Sequence, residues 1–311
     1  MAAPDPDSVC VLIPTLNEAA TIEEVTAGFR AEGYDNILVI DGGSTDDTQA
    51  LAADAGARVR EQSGTGKGQA VQEAMRYIEA RFVLMTDGDG TYRSADADRM
   101  LEPLVDGRAN HVIGNRFADM QPGAMTRLNQ VGNRLINGAY RFIHRRDHHD
   151  ILSGYRAFTR ESFERLDLSA EGFGIETELA VECVREGIET VEVPITYRPR
   201  PEDSQTNLRP VRDGGIIIFT LYRLAKTNNP LFYFGSFGVL ALVMGLGVGA
   251  YVGHQWIVYR VPHEILALVS AAGILLGVQL IMFGVLSDMI VSLHRDQRRR
   301  IDRLERRRDR K

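Results

Sequence analysis

The sequence predicts an α/β domain built on a mostly parallel sheet, followed by two transmembrane helices. Three observations point there. Over the first 115 residues short apolar runs alternate with helix-like stretches, polar residues follow four of those runs within one to five positions, and residues 231–252 and 265–287 carry no charge at all. Strands joined by crossover helices form a parallel sheet covered on both faces. In such sheets ligands bind beyond the carboxyl ends of the strands.

The elements are expected in this order. Residues 9–13 form a strand that ends at Pro14, and 19–32 a helix. A second strand, 36–40, stops at Asp41, and Asp46 and Asp47 place acids in the first turn of a helix to residue 55. Residues 58–61 read as a weak third strand, 68–80 as a helix, and 82–86 as a strand that stops at Asp87. A helix over 94–105 and a strand over 111–114 follow. Residues 121–146 show Met125, Leu128, Val131, Leu135 and Ile136 at helical spacing. The polar segment 150–156 returns to the strand ends, 175–185 is a helix, 190–197 a strand, and 198–212 a loop with three prolines. Residues 214–226 form a largely apolar helix, expected along a membrane surface.

The two charge-free runs are each long enough to cross a hydrocarbon core, which takes roughly 20 apolar residues as helix. The eight residues before the first strand offer neither the basic nor the apolar region of a signal peptide. The tail from His294 holds ten basic and four acidic residues, a net of +6; the whole chain is −6, so residues 1–293 carry −12. A basic tail directly after a span marks the cytoplasmic side and suits anionic headgroups better than nucleic acid. The connector 253–264 has one Arg and one Glu, as expected outside, so an even number of spans places both termini in the cytoplasm. Lysine occurs only at 67, 226 and 311 against 33 arginines, and acids abound in the soluble part, which fits a high-salt cytoplasm or a GC-rich genome. Cys10 and Cys183 make neither a disulfide framework nor a metal pattern and read as small buried hydrophobes.

The chemistry-bearing residues gather at the strand ends: Asn17 and Glu18, Asp41 and Ser44, Asp87 and Asp89, Asn115 and Arg116. Two carboxylates one residue apart after a buried strand can face one hard cation, and Gly88 between them lets backbone approach a ligand. In the segment 39–48 an acid ends the strand, glycines turn the chain and a hydroxyl caps the helix; Asp41 can accept from a base or ribose, or simply organise the loop. The loop Gly64-Thr65-Gly66-Lys67-Gly68 offers backbone N–H groups and one ammonium, which suits a diphosphate or an ordinary turn, and it lacks the spacing of a Walker A loop. Glu176 can touch sugar hydroxyls, act as a base, or start its helix. His144, His148 and His149 cluster near Asp147 and Asp150 at what reads as an exposed helix end.

Pro14-Thr15-Leu16-Asn17-Glu18, Asp41-Gly42-Gly43-Ser44-Thr45-Asp46, Gly66-Lys67-Gly68, Asp87-Gly88-Asp89, Gly114-Asn115-Arg116 and Ser153-Gly154-Tyr155-Arg156-Ala157-Phe158, in that order, resemble the inverting glycosyltransferases of the GT-A fold. The nearer likeness is to the dolichyl-phosphate mannose or glucose synthase group. Residues 206–213 and 227–234 resemble haloarchaeal enzymes that charge dolichyl phosphate with the first sugar of surface-layer N-glycans. The resemblance implies a GT-A catalytic domain over 1–212, an interfacial helix over 213–230, a two-helix membrane hairpin over 231–290 and a basic cytoplasmic tail over 291–311. It implies that Pro14, Thr15, Asn17, Glu18, Asp41, Ser44, Gly66, Lys67, Asp87 and Gly88 line the nucleotide, and that Asp87 and Asp89 hold Mg2+ or Mn2+. Arg116, Arg127, Ser153 and Arg198 would meet phosphates, and catalysis would rest on Asp87, Asp89, Arg116 and Glu176. The implied partners are a UDP-linked sugar, dolichyl phosphate and the membrane, with no nucleic acid; glucose and N-acetylglucosamine both stay open, and a homo-oligomer is admitted.

The chain departs from that pattern in two places. Thr91 stands where many relatives place a Gln metal ligand, and Thr206-Asn207 where relatives carry Ser-Lys, so that a lysine contact to the lipid phosphate is either lost or replaced by Arg209. Rival readings lack their signatures. The only tryptophan, Trp256, lies in the expected connector, so the Gln-x-x-Arg-Trp motif of processive polysaccharide synthases is missing. The glycine-rich loop of a nucleotidyltransferase does not follow the first strand, and a non-catalytic scaffold would not need both Asp87 and Asp89.

Overall fold

Seven strands form one sheet in the computed structural model, which describes residues 5–144, 146–168, 174–201, 222 and 229–308. They are β1 (Val9–Thr15), β2 (Ile37–Asp41), β3 (Arg58–Glu61), β4 (Phe82–Met85), β5 (His111–Met120), β6 (Arg156–Thr159) and β7 (Thr190–Tyr197), in the order β3-β2-β1-β4-β6-β5-β7. All neighbours run parallel except β6, which is antiparallel to both β4 and β5. The chain steps outward from β1 through β2 to β3 and then returns to the other side of β1 as β4. That reversal opens a crevice beyond the ends of β1 and β4, the usual ligand position in an open α/β sheet.

Alternation along β1 explains its uninterrupted apolar run. Val9, Val11 and Ile13 pack into one buried cluster with Phe29, Met100 and Leu101; Cys10 and Leu12 face the other, with Val71, Leu179 and Cys183. Both faces are covered, so both sets of side chains are apolar. Burial pushes the Cys10 thiol up to about 11 and the Cys183 thiol up to about 12, so both are inert at neutral pH. The covering helices are α1 (Ile22–Ala31), α2 (Thr48–Asp54), α3 (Lys67–Ala74), α4 (Ala97–Val105), α5 (Arg127–His144), α6 (Arg160–Glu164) and α7 (Ile175–Arg185).

Several expectations shift. Helix α3 stops at Ala74 rather than running to residue 80. The second helix has no acid in its first turn: Asp46 lies before it and accepts from Thr48 N at 3.1 Å, so the acid caps the helix from outside. Strand β5 extends to Met120 because β7 continues beside it after an irregularity between Asn115 and Asp119. Helix α5 begins at Arg127, leaving Met125 in the preceding loop. The polar return segment ends in β6 and α6, which carry too few residues to show a period in sequence.

The chain divides into two compact units, Met1–Leu221 and Tyr222–Lys311. The second contains α8 (Pro230–Tyr259) and α9 (Glu264–Arg308), and both are apolar enough over 30 residues to cross a membrane. The connector expected over 253–264 is much shorter, and Trp256 lies inside α8. Nothing between 253 and 259 breaks a helix, whereas Arg260 adopts a left-handed backbone and Pro262 follows it. Glycines set the contact between the two helices. A Cβ at Gly245 would lie 2.7 Å from Ile274 N and one at Gly277 would lie 2.7 Å from Gly238 O, while Ser270 Oγ donates to Gly245 O at 2.8 Å. The helix expected over 214–226, Thr206, Asn207, Arg209, and Gly172 and Phe173 before α7 lie outside the described residues.

Candidate active site

The crevice is built from loops that the sheet brings together. The loop after β1 is laced to the loop after β2. Asn17 takes a left-handed backbone, φ 56°, its N–H donates to Ser44 Oγ at 2.8 Å, and its side-chain oxygen accepts from Thr45 N at 2.8 Å. Glu18 N donates to Thr48 Oγ1 at 2.9 Å. Asp41 is fully buried at the centre of this lacing and accepts from Ser44 Oγ at 2.5 Å, Ser44 N at 2.8 Å, Gln49 Nε2 at 2.8 Å and Gly43 N at 3.0 Å. Its carboxylate organises the loop, one of the two roles the sequence allowed. Thr15 lies beside it, 3.4 Å from Oδ1, at the end of β1 beyond Pro14.

Asp87 and Asp89 follow β4 and face this lacing. Gly88 packs so tightly that a Cβ there would lie 2.8 Å from Thr15 Cγ2, and Thr21 Oγ1 donates to Gly88 O at 2.7 Å. Only glycine allows that approach. On the other side, a Cβ at Gly154 would fall on the Asp87 carboxylate, and Gly154 N donates to Tyr92 OH at 2.9 Å. The acidic turn is thus gripped between two backbones, which holds both carboxylates at the crevice.

Each carboxylate carries a cation of the chain itself. Lys67, at the start of α3 after Gly66, places its Nζ 2.5 Å from Asp87 Oδ1 and 2.5 Å from Glu176 Oε1. Burial opposes the ammonium charge, but the two acids outweigh it and hold the lysine protonated. Arg200 Nη2 meets Asp89 Oδ2, and its Nη1 lies 3.9 Å from Glu18 Oε1. The other oxygen of Asp89 accepts from Thr91 N at 3.1 Å and from Thr91 Oγ1 at 2.6 Å. Thr91, in the place of a third ligand, is therefore a donor to Asp89.

Arg116 is buried and bidentate on Asp150: Nε to Oδ2 at 2.8 Å, Nη2 to Oδ1 at 2.7 Å, with Asn133 Oδ1 3.0 Å from Nη2 and the Tyr197 ring 5.4 Å away. Asp150 overcomes the desolvation of the guanidinium and keeps it charged. Ser153 is fully buried and its hydroxyl has no hydrogen-bond partner among the described residues. Arg127 is exposed at the first turn of α5, and Arg198 points to Glu24, 3.9 Å away.

Two further arginines hold the crevice together, and no role was assigned to either from the sequence. Arg200, not Arg198, meets the acidic pair; both lie in one proline-broken segment, where no period distinguishes them. Arg156 is fully buried and, among the described residues, forms no ion pair with a carboxylate. It donates to Ser153 O at 2.9 Å, Ile151 O at 2.6 Å and Glu176 O at 2.8 Å, and so ties the 150–154 loop to the start of α7. Its Nη1 lies 3.2 Å from His111 Nε2, which must accept, so the His111 proton sits on Nδ1 facing Thr190 Oγ1 and Cys183 Sγ. Burial first, and then the Arg156 charge, hold His111 neutral. The signal was present in the sequence: an arginine inside the apolar Tyr155-Arg156-Ala157-Phe158 stretch.

Asp87 and Asp89 suit a hard divalent cation in the kind of donor they offer. The cationic Lys67 and Arg200 resting on them mark where positive charge is wanted. Among the described residues no three His, Cys, Asp or Glu side chains converge to hold a metal alone. The remaining ligands would have to come from a bound diphosphate and water.

Residues 10–167 match the family described as Glycosyl transferase family 2. Glycosyltransferase AglJ of Haloferax volcanii is 63% identical over 97% of this chain and 100% of its own length. The dolichyl-phosphate hexose transferase of the same organism is 33% identical over 68% of this chain and 91% of its own length. Among solved structures, glucosyl-3-phosphoglycerate synthase of Mycobacterium tuberculosis, in complex with Mn2+, UDP-glucose and phosphoglyceric acid, superposes with a TM-score of 0.59 and 25% identity, covering 70% of this chain and 79% of that one.

Proposed function

The chain belongs to glycosyl transferase family 2, and from that premise we propose that it moves a hexose from a UDP-linked sugar to dolichyl phosphate, with inversion, at the cytoplasmic face of the membrane. The observation that carries the reading is the pairing of Asp87 and Asp89 with Lys67 and Arg200 in a crevice walled by Arg116. Anionic and cationic groups in alternation suit two phosphate-bearing substrates meeting at one sugar carbon. The dolichyl-phosphate hexose transferase likeness and the two apolar helices support a lipid acceptor. The complex of the structural neighbour with Mn2+ and UDP-glucose supports the donor class. The haloarchaeal resemblance supports an early step of protein N-glycosylation.

In this reading Asp87 and Asp89 would hold Mg2+ or Mn2+, which supplies positive charge for the leaving diphosphate. Arg200 and Lys67 add charge beside the same carboxylates. The acceptor is a phosphate monoester with a second pKa of about 6, so it is largely a dianion near neutral pH and needs no strong base. Glu176 fits that: its carboxylate is spent on Lys67. The phosphate oxygen bonds to the anomeric carbon as the bond to the diphosphate oxygen breaks on the opposite side, so an α-linked donor yields a β-linked lipid. Arg116, pinned by Asp150 and Asn133, aligns the acceptor, and its rigidity lowers the entropic cost of that alignment.

The test uses membranes containing the full chain, incubated with labelled UDP-glucose, UDP-N-acetylglucosamine or GDP-mannose and then extracted with organic solvent. The reading expects label in the lipid phase with one UDP-sugar, lost in excess chelator. Label confined to water-soluble product with every donor would overturn the lipid acceptor.

A further inference from the structure

A guanidinium is costly to bury, and more so with no carboxylate paired to it. Arg156 is nevertheless among the largest side chains buried completely. Its donors reach two separate segments. Ile151 O and Ser153 O, at 2.6 and 2.9 Å, belong to the loop between α5 and β6; Glu176 O, at 2.8 Å, belongs to the first turn of α7. Each segment is fastened to the crevice on its far side. In the loop, Asp150 holds Arg116 through two hydrogen bonds, and Gly154 backs directly onto the Asp87 carboxylate. At α7, the Glu176 carboxylate holds Lys67, which also meets Asp87. The contacts therefore close a ring: Asp87, Lys67, Glu176, Arg156, the 151–154 loop, and Asp87 again. Arg116 hangs on the same loop through Asp150.

We infer that Arg156 is a positioning residue for transfer, whose planar fork keeps the acceptor-side arginine, Arg116, at a fixed separation from the donor-side pair of Lys67 and Asp87. Being fully buried, it touches neither substrate. In-line displacement needs the acceptor oxygen, the anomeric carbon and the leaving oxygen in one line, so the spacing of the two halves governs turnover more than either affinity. A guanidinium suits the task because its N–H groups point in set directions, whereas an ammonium places every donor on one atom. The plane of the fork is set by His111, whose Nε2 lies 3.2 Å from Nη1 and whose ring stacks on Phe158 at 4.3 Å. The inference rests on the transfer reaction proposed above. A side chain that only filled the core would, when replaced, reduce the amount of folded protein. A positioning residue, when replaced, leaves folded protein that binds both substrates and turns over slowly.

The test compares the full chain, purified in detergent, with Arg156→Lys and Arg156→Met. Sites are counted by binding of labelled UDP with Mn2+, and transfer to polyprenyl phosphate is measured per site. UDP affinity and acceptor KM should match the wild type. Transfer per site should fall about a hundredfold in Arg156→Met, the scale of a small misplacement of reacting groups. It should fall less in Arg156→Lys, whose ammonium can still bridge Ile151 O and Glu176 O, the two carbonyls that share Nη2. Wild-type turnover per UDP site in Arg156→Met, or a raised KM with unchanged kcat, would overturn the inference. Should that variant bind no UDP, Asp150→Asn and Glu176→Gln decide it with Arg156 in place. Their losses in kcat should depart from additivity by about tenfold, and independent losses would refute the coupling. Hydrogen exchange reads the brace without any reaction: amides at 150–154 and 175–178 should both exchange faster in Arg156→Lys. A wild type that labels no lipid would sink the proposed reaction alone, whereas unchanged exchange in both segments would sink the brace.

Discussion

Asp89 illustrates how much one side chain is asked to do. It meets Arg200, accepts twice from Thr91, and in the proposed reaction would also ligate the metal. Asp89→Asn removes the anion and almost no volume. Transfer should fall by about a hundredfold or more, the scale of losing a preorganised electrostatic group, while the melting temperature moves little. Wild-type enzyme in excess chelator should show the same loss and recover with Mg2+ or Mn2+; undiminished activity there would remove the metal role. Glu182, on α7, makes a separate prediction. Burial above all, and then Glu178 against the opposing Arg185, push its carboxyl from an ordinary 4.5 up to about 7. The folded state therefore holds a proton that the unfolded state has lost, so this group favours folding fully below about pH 4.5 and loses that contribution as the pH rises through 7. Glu182→Gln should raise stability at pH 8 by about 1 kcal/mol, a few degrees in Tm, and by nothing at pH 4.5. Thermal unfolding in detergent at the two pH values checks it, and an equal shift at both would refute the linkage.

Helices α8 and α9 touch through glycine, and lipid supplies no hydrophobic drive to hold them together. Their contact depends on close backbone approach and on the Ser270 hydroxyl bridging to Gly245 O. Gly245→Leu with Gly277→Leu should separate the pair, because each added side chain meets backbone rather than a flexible neighbour. Overpacking of this kind costs about 1–3 kcal/mol per site. The expected result is a lower detergent melting temperature, with the soluble unit still able to bind nucleotide-sugar; unchanged hairpin stability would show that the helices pack elsewhere. The sequence alone does not say which of the many glycines in these helices face the partner. The partner rows, Gly238 and Gly245 against Gly277 and Gly273, emerge only once the connector is known to be as short as 260–263.

For the whole molecule the open question is orientation. A cysteine at Val261, in the exposed connector, should react with an impermeant reagent from outside intact cells, and one at Glu305, in the basic tail, should not. The native thiols are buried with raised pKa values and give no background. Reversed labelling would place the catalytic domain on the wrong side for a cytoplasmic nucleotide-sugar.

The sequence by itself determined the alternation of strand and helix, the acidic pair after β4, the two apolar helices and the family. Each of these is written in local pattern: apolar runs, glycine beside acid, absence of charge. Only the tertiary structure decided which charges meet. Lys67 and Glu176 are 109 residues apart, and Arg200 and Asp89 are 111 apart. No period or spacing encodes such pairs, because they form between loops that the order of strands in the sheet brings together. The bidentate pairing of Arg116 with Asp150, 34 residues further on, is of the same kind. A polar residue near a strand end advertises a crevice, but whether it faces a substrate or a neighbour depends on side chains that folding brings in from elsewhere.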